Sequence, residues 1–380
     1  MPQQPRSADL QSQTAHSAWI ELRLASLAAN LAAVKTLAPQ AEVLAVVKAN
    51  AYGHGLREVA QALDGQVRYL GVSALKELLE IKTAKIRTPV FMFGRLCEAE
   101  LAQAVQISGL TLTVSSFEEA QQISEFARGA GKAAVIHIKV DTGMGRFGLP
   151  LEGAVQAVEK ISALPGLNLE GIYTHFPTAE TDDGFAEIQL EDFAKLIRTL
   201  EGRGIRFAFR HASNSAGIFK RRHPLMNMVR PGLMLYGVYP EEPFQKIAAL
   251  EPVLSLKARI AVVKSVEPGA TAGYSREFRA KKKTQLAVLP VGYSHGYPWS
   301  AWRSAKVLRA GKRFACAGRI SMDYITIDLG NFPAKAGDEI TLIGECLGDE
   351  IRVADIAKWA DTIPYEVLTR LAPGLPRVIV

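Results

Sequence analysis

The chain has 380 residues, 48% of them apolar, enough to bury a large core and more than most single domains need, so two domains are expected. Its net charge of +7 is dispersed, with the densest groups at Arg221-Arg222-His223 and Lys281-Lys282-Lys283 and no interleaved aromatic platform, which argues against a nucleic-acid partner. No apolar run approaches the roughly 18 residues of a membrane span; the first 17 residues are polar and read as a loose tail, and Cys97, Cys316 and Cys346 have neither metal-ligand nor disulfide spacing, so a reducing cytoplasm is expected.

Trp19 to Leu24 alternates like a short strand, one that can join a later β domain, and Ser26 to Leu37 carries apolar residues at helical spacing until Pro39. Apolar strand candidates then recur at 43–48, 69–73, 89–93, 110–114, 134–140, 169–175, 207–211 and 226–230. Between most of them lie stretches of helical period at 56–63, 75–83, 98–107, 117–128, 151–163 and 185–201. This rhythm predicts an α/β chain with a (β/α)8 TIM-type barrel over residues 18–245; an open doubly wound sheet is the alternative. Near Pro240-Glu-Glu-Pro243 the period changes. Short β-rich runs at Val253–Val263, Gln285–Val291, Arg313–Ala317, Tyr324–Leu329 and Glu339–Ile343, with a helix near 353–360, predict a mostly antiparallel β domain over 246–380.

Lys48 closes the apolar run Val43–Val47. An ammonium there is costly to desolvate unless it is paired, depressed in pKa or covalently used, as in a Schiff base with an aldehyde cofactor; a strand-end lysine reaching solvent is the plainer reading. Asp141, His175 and Arg230 also fall at or just past strand ends, with Tyr52, Arg146 and Ser215 in the loops beyond, the side on which barrels place their chemistry. His137, Lys139 and Asp141 share one side of a strand, and Gly143 and Gly145 bend the chain before Arg146, a group suited to a small anion such as a carboxylate; a structural ion-pair network is the alternative. His211 to Ser215, together with Arg230-Pro-Gly232-Leu233, suits a divided phosphate site built from a hydroxyl and backbone amides, although a cap serine and a turn glycine account for each part alone.

Lys48-Ala-Asn-Ala-Tyr52-Gly-His-Gly resembles the pyridoxal-phosphate lysine motif of the alanine racemase family, and the likeness runs through both domains from about residue 18 to the end. It implies a pyridoxal 5'-phosphate-dependent racemase, a homodimer with active sites shared between subunits, acting on L- and D-alanine by two opposed bases. Lys48 and, in Ala272-Gly-Tyr274-Ser, Tyr274 of the partner subunit match those bases. Arg146 and Met322, in Gly318-Arg-Ile-Ser-Met322-Asp323, match the substrate-carboxylate residues, with Asp323 in support. Tyr52, His175, Ser215, Arg230, Gly232, Leu233 and Tyr365 match the cofactor residues, Arg230 facing the pyridine nitrogen. Lys139 matches a lysine that is often carbamylated and orients the arginine, and Tyr293 matches a pocket tyrosine.

Two stretches depart from the family. Ser321 stands where many members have cysteine, and Ser294-His295-Gly-Tyr-Pro-Trp299 replaces the commoner Ala-Asp-Gly-Tyr or Ala-Asp-Gly-Trp. A racemase of broader range, taking lysine, arginine or serine, therefore stands as the alternative, followed by a non-catalytic pyridoxal-phosphate-binding protein and a decarboxylase of the same fold.

Overall fold

The computed structural model describes residues 16–181, 184–220 and 223–380. Residues 1–15 of the tail expected over the first 17, and the pair Arg221-Arg222, lie outside them. The chain divides into two compact units: one holds Ala28–Ala51 and Leu56–Glu251, the other the described residues up to Leu27, then Tyr52–Gly55 and Pro252–Val380.

The first unit is a closed barrel. Its strands are β2 (Glu42–Val46), β3 (Tyr69–Val72), β4 (Val90–Met92), β5 (Leu110–Val114), β6 (Ala134–Asp141), β8 (Leu167–Tyr173), β9 (Phe209–His211) and β10 (Met228–Val229). The two-residue β7 (Leu149–Pro150) pairs with the end of β6, and β1 (Ala18–Leu22) belongs to the other unit. Neighbouring barrel strands are parallel, and pairing of β5 with β6 and of β10 with β2 closes the ring. Helices such as Leu75–Thr83, Phe117–Gly129 and Phe185–Gly202 fill the crossovers, each with one buried apolar face. The eightfold reading therefore holds and the open sheet does not, because the ring of parallel pairings closes on itself and leaves no edge strand among those eight.

The second unit is mostly antiparallel. Leu254–Arg259 pairs with β1 on one side and Glu339–Cys346 on the other, while Val262–Val266, Thr284–Leu289 and Ile325–Gly330 form a separate three-stranded sheet. The single run expected at Val253–Val263 is thus two strands in different sheets, broken at Ile260-Ala261. Lys306–Arg309, the helix Pro364–Arg370 and the closing strand Arg377–Ile379 were not anticipated.

Candidate active site

β2 ends at Val46, two residues before Lys48. The residues that follow Lys48 are unusual: Ala49, Asn50, Ala51 and Tyr52 have φ of 54°, 55°, 52° and 54°, a left-handed turn made without glycine. Such a conformation costs roughly 1–2 kcal/mol per residue, so it persists only where neighbours hold it. Glu77 Oε1 accepts the Ala49 N–H at 2.5 Å, and Asn50 Oδ1 accepts the Leu56 N–H at 2.8 Å. Burial, with Arg146 adding to it, lowers the Lys48 pKa, while Glu77 works in the opposite direction. A half-buried lysine of this kind holds more neutral amine than a free one.

β6 delivers Lys139 and Asp141. The Asp141 carboxylate collects the N–H groups of Gly143, Met144, Gly145 and Arg146 at 2.8–3.2 Å, folding the glycine loop around itself and presenting Arg146 at its end. Asp141 is thereby a builder of the loop, and those four amides hold its pKa down against partial burial. Lys139 is buried, with Nζ 5.7 Å from the Phe147 ring and 5.9 Å from that of Tyr173. Burial first, then Arg146 and Arg230, brings its pKa down to about 8. Such an amine is partly neutral near pH 7, the form that reacts with carbon dioxide.

Arg230 follows β10 directly and is 3% exposed. Its Nη1 donates to His211 Nδ1 at 2.9 Å, and its Nη2 donates to the carbonyls of Thr174 and Ala212, both at 2.8 Å, and to His175 Nδ1 at 3.2 Å. No carboxylate pairs with it among the described residues, and burial takes its pKa down to about 10. Burial and the same guanidinium keep His175 well below the usual imidazole range, so it is neutral with its proton on Nε2.

Ser215 opens the helix Ser215–Lys220, and its hydroxyl accepts the N–H groups of Gly232 at 3.0 Å and Met234 at 3.3 Å. Gly232, expected as a free amide, is thus engaged by Ser215, whereas Leu233 is the first residue of a short 3-10 turn and has no acceptor within it.

In the second unit, Tyr52 and Tyr365 lie with ring centroids 6.0 Å apart, and burial raises the Tyr52 hydroxyl pKa well above its ordinary value. Tyr274 is 70% exposed and Met322 54% exposed. The loops carrying them are neighbours, because Gly273 packs against the backbone of Gly318-Arg319 and Arg319 pairs with Glu277 at 2.6 Å. The two departures from the family are locally satisfied: Ser321 Oγ donates to the Tyr324 carbonyl at 2.9 Å, and Ser294 Oγ to Asp323 Oδ1 at 2.9 Å. A cleft of about 410 Å³ is lined by Tyr293, Ser294, Gly296, Tyr297, Pro298, Trp299 and Arg370.

The barrel thus brings Lys48, Lys139, Arg146, His175 and Arg230 within one mutual electrostatic field, and in the second unit the loops of Tyr274 and Met322 adjoin at Gly273 and Gly318-Arg319 while Tyr52 lies beside Tyr365. Sequence reasoning missed Glu77. Its signal was a glutamate in the first turn of a predicted helix, the third position of a capping box.

Residues 22–240 match the family described as alanine racemase, N-terminal domain, and residues 253–379 match alanine racemase, C-terminal domain. The chain is 38% identical over 368 residues to the alanine racemase of Desulforamulus reducens, covering 95% of this chain and 98% of that one. It is 37% identical over 369 residues to the alanine racemase of Methanococcus maripaludis, with 96% and 98% covered. Among solved structures, alanine racemase from Clostridium difficile 630 superposes with a TM-score of 0.92 at 34% identity over 96% of each chain. A histidine racemase from Leuconostoc mesenteroides subsp. sake superposes with a TM-score of 0.87 at 28% identity, over 96% of this chain and 98% of that one.

Proposed function

The chain belongs to the alanine racemase family of amino-acid isomerases, and on that premise we propose that it interconverts L- and D-alanine as a pyridoxal-phosphate-dependent homodimer. The observation that carries the cofactor is Arg230. It is a buried guanidinium with no carboxylate partner and with its Nε–H unclaimed among the described residues, and it fits an acceptor such as a pyridine nitrogen. A group that cannot be deprotonated in ordinary conditions gives that nitrogen a hydrogen bond and no proton. Ser215, Gly232 and Leu233, with Tyr52 and Tyr365, are the residues proposed to hold the phosphate.

When bound, pyridoxal phosphate withdraws electrons from the substrate and so acidifies its Cα–H. Inversion at Cα needs one group to remove a proton from one face and another to return a proton to the other. Lys48, lowered in pKa by burial, serves one face, and Tyr274 of the partner subunit serves the other. Because His175 Nδ1 accepts from Arg230, its Nε2–H is left to donate to the partner's Tyr274. Arg146 and the Met322 amide hold the substrate carboxylate, Lys139, carbamylated, orients Arg146, and Asp323 and Tyr293 shape the substrate side. The exposed Tyr274, Tyr293, Trp299 and Met322 support association of two chains.

Titration of the protein with pyridoxal phosphate, followed by borohydride reduction and peptide mapping, tests this reading. The label is expected on Lys48 and absent from Lys48→Ala; a label elsewhere would remove its basis. A racemase of wider range is the second reading, favoured by the departing stretch Ser294–Trp299 along the cleft with Arg370.

A further inference from the structure

Among the described residues Arg230 has no carboxylate against it, yet a carboxylate lies at the far end of a continuous hydrogen-bonded chain inside the barrel. Arg230 Nη1 lies 2.9 Å from His211 Nδ1, His211 Nε2 lies 2.9 Å from His137 Nδ1, and His137 Nε2 lies 3.1 Å from Glu170 Oε2. Both imidazoles are fully buried.

The direction of every bond follows from its first member. A guanidinium only donates, so His211 Nδ1 must accept and the proton of a neutral His211 sits on Nε2. That N–H donates to His137 Nδ1, which places the His137 proton on Nε2, facing Glu170. Burial keeps both imidazoles below their ordinary pKa. Glu170 meets the chain as an anion: burial works against its charge, but the hydrogen bonds from His137 and Tyr69 hold its pKa below the usual value. Tyr69 OH donates to Oε2 at 2.5 Å, and Arg68 stands 3.6 Å from Oε1.

The strand is shaped for this contact. Pairing of β6 with β8 steps from Ile136 opposite Leu169 to His137 opposite Gly171, so Glu170 is an extra, unpaired residue, a bulge of the kind that re-aims a side chain. Gly171 leaves the room that the His137 ring fills, since a Cβ there would meet all three of Cε1, Nδ1 and Nε2.

We propose that Glu170 is a positioning residue and the counter-ion of Arg230, coupled to it through the one-way chain Arg230–His211–His137–Glu170. An adjacent carboxylate would compete for the guanidinium N–H groups. A remote one, acting through two neutral rings, balances the buried charge and leaves the Nε–H side of Arg230 free; the bearing on catalysis rests on the cofactor reading above.

The test is long-range 1H–15N correlation on the full-length protein, labelled with 15N at histidine and arginine. Wild type is expected to show His211 and His137 neutral and protonated on Nε2. In Glu170→Gln, whose side-chain oxygen still accepts, the Nε2–H protons of both rings and the guanidinium signal of Arg230 are expected to move upfield. Tyr69→Phe removes a hydrogen bond but keeps the charge, and should leave His211 and Arg230 unmoved. A ring protonated on Nδ1 in wild type overturns the proposal, whether or not Glu170→Gln folds. So does a Glu170→Gln shift confined to His137, which would make Glu170 a structural cap alone. Neither result depends on turnover, so the racemase reading stands or falls separately.

Discussion

Glu77 Oε1 accepts the backbone N–H of Ala49, the residue after Lys48, while Glu77 Oε2 accepts the N–H groups of Ser73 and Ala74 at 2.9 and 3.2 Å. One carboxylate therefore caps the helix Leu75–Thr83 and fixes the first peptide of the left-handed turn. It also offsets part of the burial that lowers the Lys48 pKa. Glu77→Ala should cost about 1–3 kcal/mol of stability from the lost cap and the unsatisfied amide, and should lower the Lys48 pKa further. Competitive labelling with acetic anhydride would read this as faster modification of Lys48 at neutral pH. Lower stability with unchanged labelling would leave Glu77 as a cap only.

Lys139 gives the fold a pH dependence. Its folded pKa of about 8 lies below the ordinary 10.5, so between those values the unfolded chain binds a proton that the folded chain has released. Stability therefore rises with pH through that window, and below it the folded state bears the cost of a buried ammonium. Thermal melts of cofactor-free, carbonate-free protein should show the rise, and Lys139→Met should reduce it, leaving the part that the lowered pKa of Lys48 supplies. An identical rise in both proteins would assign it to other groups.

The proposal that each active site draws on both subunits predicts complementation. Lys48→Ala and Tyr274→Phe homodimers should each be crippled, the second by about 10²–10⁴-fold in the proton transfer proposed for Tyr274, and more severely for one enantiomer than for the other. Mixed and refolded together they should regain activity, because one of the two sites in the mixed dimer then holds both wild-type residues. Equal loss for both enantiomers speaks against opposed bases, and absence of recovery against sharing.

Gly171→Ala would drive a methyl group into the His137 ring. Overpacking of this kind costs about 1–3 kcal/mol, and chemical denaturation should show it. A neutral result would mean that His137 moves easily, which its packing beside Phe91 and Phe209 opposes.

The barrel was legible because its strands are apolar on both faces and its helices on one, two periods that differ along the chain. Predicted bounds such as 110–114 match the structure outright. The second unit was less so. Nothing local in Val253–Val263 marks where a strand leaves one sheet for another, and Lys306–Arg309 alternates too much charge with its apolar residues to stand out. At the proposed site, Lys48 and Arg230 stood out in the sequence by their positions at strand ends, and both lie just past a barrel strand. The left-handed turn was hidden because Ala-Asn-Ala carries little preference for it. Glu170 was hidden because a bulge, which no side-chain pattern announces, directs it inward.

Polarimetry of L-alanine with purified protein and pyridoxal phosphate, with L-serine, L-lysine, L-arginine and L-histidine run alongside, tests racemisation of alanine. An alanine racemase should bring the rotation of L-alanine rapidly to zero and change the others little. Unchanged rotation for L-alanine while any other substrate racemises would contradict racemisation of alanine.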